Sequence, residues 1–134
     1  MKKYTHAFTL IFLLLQSMLL MAGQDGYKAV ARYDYYTLEE EVEVIVWVPA
    51  ERIDVIIGIT VSFGEEIIAE VEDAVAGRVN HISIPANNFV LGINDLLVSY
   101  FENSKPVGAD KIQLLLSEHR FNAVKIDRAN GGLI

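Results

Sequence analysis

The chain has 134 residues, enough for one domain with a modest core and too few for two ordinary ones. Its formal net charge of −7 argues against nucleic acid, where phosphate neutralisation supplies most of the affinity, and against an anionic membrane surface. The absence of cysteine excludes disulfides, thiolate metal sites, a cysteine nucleophile and an acylated lipoprotein anchor.

The first 23 residues read as a secretory signal peptide. Lys2 and Lys3 form a positive start, Ala7 to Leu15 an apolar centre, and Ala22 and Gly23 precede polar Gln24 and Asp25. Leu20 and Met21 stand where a small residue is preferred at the cleavage position. An uncleaved anchor is the rival reading, but the stretch from Ala7 to Gly23 is shorter than the roughly 20 residues of a membrane span. Both readings export the domain at residues 24–134, to a periplasmic or extracellular location.

Tyr27 to Tyr36 alternates like one half-buried strand, with Tyr27, Ala29, Ala31, Tyr33 and Tyr35 on one side. Glu41 to Val48 alternates again. Its face of Val42, Val44, Val46 and Val48 suits a core, because branched side chains pack well on a pleated surface. Glu43, Ile45 and Trp47 then point the other way, and Glu43 is expected to be exposed. Pro49 ends this strand. Ile53 to Phe63 is the next, with Ile53, Val55, Ile57, Ile59, Val61 and Phe63 on its apolar side.

Local signals conflict over residues 65–76. Ile67, Ile68, Val71, Ala74 and Val75 fall at helical spacing, with Gly77 as a stop, while Ile67, Ala69 and Val71 also alternate. A strand to about Asp73 is expected, because the rest of the chain is so rich in β pattern. Val79 to Ile84 is a further strand. Leu96 to Phe101 and Lys111 to Leu116 form an antiparallel pair around a polar break at Glu102 to Pro106. Both runs are apolar enough to suit central strands. Phe121 to Asp127 is expected as the last strand. Seven or eight short strands at even spacing imply an all-β fold, an immunoglobulin-like antiparallel β-sandwich.

Constellations that carry chemistry are sparse. His81 and His119 lack a second histidine at metal-ligand spacing, and no cofactor or metal is expected. The acidic groups at Glu39 to Glu41 and from Glu65 to Asp73 lack the Asp-x-Asp spacing of a calcium loop, and read as solvated edges. The aromatics are the sharper signal. Trp47, Tyr33 and Tyr35 are candidate ligand-binding residues, since flat rings stack on sugars; the plainer alternative is packing at the rim or against another domain.

Leu91 to Val98 (LGINDLLV) resembles the Leu-x-x-Gly-x-Asn-x-Leu-x-Val pattern that opens a strand in the β-sandwich domains of family-two glycoside hydrolases, the relatives of β-galactosidase and β-mannosidase. Asn122 to Ile134 is similar to the last sandwich strand and linker leading into the catalytic barrel of such proteins. The resemblance covers about residues 40–134. It implies a non-catalytic accessory domain whose partner is a barrel C-terminal to Ile134, and the halt at Leu133 and Ile134 after two glycines reads as truncation before that barrel. The family's catalytic glutamates lie in the barrel, so none is carried over and no catalytic residue is expected here. The competing class is a free-standing secreted immunoglobulin-like binding or assembly module, with carbohydrate as one ligand class.

Overall fold

A computed structural model describes residues 26–120 and 125–129. Its strands are β1 (Lys28–Ala31), β2 (Tyr36–Thr37), β3 (Glu41–Trp47), β4 (Ile57–Phe63), β5 (Glu66–Val71), β6 (Val79–Pro85), β7 (Gly92–Glu102) and β8 (Lys105–Ser117). They form two sheets, ordered β1-β3-β6 and β2-β8-β7-β4-β5. The protein is an all-β sandwich. Its strand order is that of the immunoglobulin arrangement, with β4, β7 and β8 facing β1, β3 and β6, and β5 as an added edge strand. The signal peptide and its anchor alternative fall outside the described residues.

The core lies where the alternating faces meet. Val42, Val44, Val46 and Val48 of the smaller sheet are fully buried against Ile59 and Val61 of β4, Val98 and Tyr100 of β7, and Leu114 and Leu116 of β8. Each such side chain contributes about 1.5–3 kcal/mol on leaving water. Ile45, on the other face of β3, is also fully buried, so this strand is covered on both sides.

Two tyrosine–carboxylate pairs close one flank. The Tyr100 hydroxyl donates to Asp110, and the Tyr27 hydroxyl to Glu102 at 2.6 Å, where Arg52 forms an ion pair at 3.1 Å. The two rings stack 4.7 Å apart.

Several strand limits differ from those expected. The stretch from Tyr27 to Tyr36 divides: β1 pairs with β3, and the chain then crosses to the larger sheet, where Tyr36 and Thr37 run parallel to Leu116 and Ser117 of β8. Tyr35 and Tyr36 are both buried, which no strand with a single core face can achieve. The third strand starts at Ile57 instead of Ile53. A 3₁₀ turn at Ala50–Arg52 precedes it, and Ile53 is exposed because the ladder to β7 ends at Ile57 and Glu102.

Residues 66–71 are a strand, as tertiary context required against helical propensity. It ends at Val71, two residues before Asp73, and the Ala74 N–H then bonds the Ile57 carbonyl.

β7 and β8 are longer than their apolar runs. Asn103 and Ser104, with φ of 51° and 68°, make a two-residue turn whose twist matches that of the strands. Pro106 sits inside β8, next to a register shift at Tyr100 and Phe101 that spares its missing donor. Only one face of the pair is fully buried; Ile93 on the other is largely exposed. Of the expected last strand, residues 121–124 lie outside the described residues. Asp127 makes an isolated antiparallel bridge to Tyr33.

Candidate functional site

The crossover between β1 and β2 gathers the densest chemistry. Tyr36 is its fixed point. Its hydroxyl accepts the N–H groups of Tyr33 (3.1 Å) and Glu43 (3.2 Å) and donates to the Glu43 carbonyl (2.9 Å). Burial pushes its phenol up to about 12. The Tyr33 ring meets Tyr36 edge-on at 5.8 Å.

Lys125 fills the space these rings enclose. Its Nζ lies 5.3 Å from the ring centroid of Tyr33 and 4.9 Å from those of Tyr35 and Tyr36, within the range of cation–π attraction. It donates to both carboxylate oxygens of Glu40, at 2.6 and 2.5 Å, and its side chain is only 9% exposed. Glu40 Oε1 also accepts from the backbone and hydroxyl of Thr37. Burial alone would raise the Glu40 carboxyl; the hydrogen bonds from Lys125 and Thr37 outweigh it and hold the group below its ordinary value.

The residues after Lys125 lie along the same crossover. The Ile126 N–H donates to Asp34 Oδ1 at 3.1 Å, and the Arg128 N–H to the Arg32 carbonyl at 2.7 Å. Arg32 grips Asp127 through Nε and Nη2, at 3.1 and 3.2 Å, and reaches Glu43 through Nη1 at 2.9 Å. Glu43 in turn meets His81 Nδ1. Arg128 Nη1 bonds the carbonyls of Ala31 and Tyr33. Glu43 is therefore partnered on both sides and its side chain only 19% exposed, which corrects the expectation of a free surface carboxylate.

The three aromatic candidates do not form one platform. Trp47 is half-buried on the outer face of β3, between Lys28 and Val79 in the ladder. Tyr33 lies beyond the opposite end of that ladder, about 16 Å away at strand spacing. Tyr35 is 1% exposed and contributes its face to Lys125. Sequence reading missed Tyr36, Glu40 and Lys125. The compact run of Tyr33, Tyr35 and Tyr36 was the available signal, and the distant lysine gave none.

A second feature lies on the outer face of the larger sheet. Gly58 leaves a shallow groove bounded by Ile56, Ile67 and Phe101, with Glu70 and Glu72 along one side. A β-carbon on Gly58 would rest 3.6 Å from that of Phe101, an ordinary contact, so the groove reflects a missing side chain and no backbone strain. Glu65, Glu66, Glu70, Glu72 and Asp73 are all exposed at this edge. No protein-family model, curated protein or solved structure matches this chain.

Proposed function

We propose that this chain is a non-catalytic β-sandwich module of an exported glycoside hydrolase-like protein, packing against a catalytic domain and holding it in position. The observation that carries the reading is the anchoring of residues 125–129. Lys125, Asp127 and Arg128 are each bound by the sandwich, so this segment is held against it. The LGINDLLV stretch and the residues from Asn122 onward supply the link to hydrolases. The groove beside Phe101 offers an apolar surface for a neighbouring domain.

Purified chain should not turn over aryl β-glycosides, because that chemistry needs two carboxylates about 5–10 Å apart across a scissile bond. Light scattering should show self-association that Phe101→Lys abolishes. Turnover lost on a single carboxylate substitution would overturn the accessory role. A strictly monomeric wild-type chain would favour the second reading, a free-standing binding module. Half-buried Trp47 on the outer face of β3 is the observation behind that alternative, and quenching of its fluorescence by oligosaccharides would identify the ligand class.

A further inference from the structure

The tyrosine cage and its lysine come from different kinds of structure. The cage is local: Tyr33, Tyr35, Tyr36 and Glu40 lie within eight consecutive residues. It is fixed by bonds that do not involve Lys125, namely the three to the Tyr36 hydroxyl and the two from Thr37 to Glu40. Lys125 arrives from 85 residues away. The rest of its segment also docks group by group, with Asp127 in the Arg32 fork and Arg128 on two carbonyls. Host and guest are thus separable, because the host has bonds of its own that do not need the guest.

We propose that the β1–β2 crossover is a peptide-recognition seat for a Lys-x-Asp-Arg segment, filled in this chain by its own residues 125–128 and open to the same segment of a second copy. The cage selects an alkylammonium through three ring faces and one carboxylate. The Arg32 fork selects a carboxylate two residues on, because its planar donors match a carboxylate in two-point contact. The spacing follows from the antiparallel bridge between Tyr33 and Asp127, which lays the guest along the crossover. A tethered guest has an effective concentration on the order of millimolar, so an added peptide competes visibly only when the tethered one is disabled.

The test uses the full-length chain carrying Lys125→Gln, Asp127→Asn and Arg128→Gln, with its fold verified by circular dichroism. A synthetic peptide of residues 125–129 is titrated into it while the tyrosine ring resonances are followed by NMR. Saturable shifts at Tyr33, Tyr35 and Tyr36 are expected, absent or much weaker in the wild-type chain. A peptide with norleucine in place of lysine should bind about tenfold more weakly. Equal binding of both peptides, or no shift at millimolar peptide in a folded variant, overturns the proposal. If the triple variant does not fold, Lys125→Gln alone is titrated with butylammonium. Saturable movement of the same rings upholds ammonium recognition, and silence refutes it.

Discussion

The Tyr100 hydroxyl donates to Asp110 Oδ2 at 2.5 Å, and that same oxygen accepts the Ala29 N–H at 3.2 Å. One carboxylate therefore joins the central strand of the larger sheet to the edge strand of the smaller. Asp110→Ala leaves a buried phenol without its acceptor and should cost about 1–3 kcal/mol in urea unfolding. Tyr100→Phe should cost less, because Asp110 keeps the Ala29 amide.

These tyrosines set an alkaline limit. Burial, above all, raises the phenol pKa values of Tyr27, Tyr36 and Tyr100; the carboxylates of Glu102 and Asp110 push Tyr27 and Tyr100 further in the same direction. Folded values above the unfolded one, near 10, mean a contribution to stability intact below pH 10 and lost above it, as the unfolded chain ionises first. For Tyr36 the loss runs from about pH 10 to about 12. The urea midpoint should fall steeply between about pH 10 and 12 on this account, and a flat profile would contradict it.

Glu43 acts at the other end of the scale. Burial raises its carboxyl, but hydrogen bonds from Arg32 and His81 outweigh this and hold it low. A folded value below the unfolded one contributes stability above the ordinary carboxylate range, lost as pH falls through it. Glu43→Gln should cost about 1–2 kcal/mol at neutral pH and flatten the acid limb of the stability curve. On the neighbouring core face, Val46→Asp should cost about 3–5 kcal/mol from a buried unpaired charge.

Ser104 offers a stabilising change. Its φ of 68° lies in the left-handed region, where a side chain is disfavoured, and it is exposed. Ser104→Gly should raise stability by about 0.5–1 kcal/mol after the extra chain entropy of glycine is counted. Asn103→Gly should not match it, because the Asn103 side chain accepts the Ile56 N–H at 3.1 Å.

Asn94 is the one buried polar side chain among the described core residues, and it is fully engaged. It accepts the Val90 N–H at 2.9 Å and donates to the carbonyls of Val90 and Gly92. Asn94→Ala should cost about 2 kcal/mol and loosen the start of β7, read as faster amide exchange at Val90.

What the sequence made legible was the part fixed by local alternation. The valines from Val42 to Val48 and the apolar face of β4 could be placed because each repeats at every second residue over a covered surface. Gly92 and Asn94 lie in the stretch read as resembling a strand opening; in the structure the glycine has a φ of 100° and the Asn94 side chain turns back on the turn. The crossover was not legible, because its burial breaks alternation at Tyr35 and Tyr36. The lysine cage was not legible either, since a pairing across 85 residues leaves no local trace. Glu43 looked solvent-facing because alternation records which face a residue occupies, and Arg32 from the crossover and His81 from β6 come to that face.

The segment from Lys125 onward also sets a timetable. Its bonds from Ile126 and Arg128 back to Asp34 and Ala31 span 92 and 97 positions, while β7 and β8 close on each other through a two-residue turn. During ribosomal synthesis the crossover is made roughly 5–20 s before the segment that closes it. Hairpin closure, by contrast, takes on the order of microseconds. The crossover is thus among the last parts to be closed, although β1 itself pairs with nearby β3, and a delay between the two prolongs the interval in which it can pair wrongly.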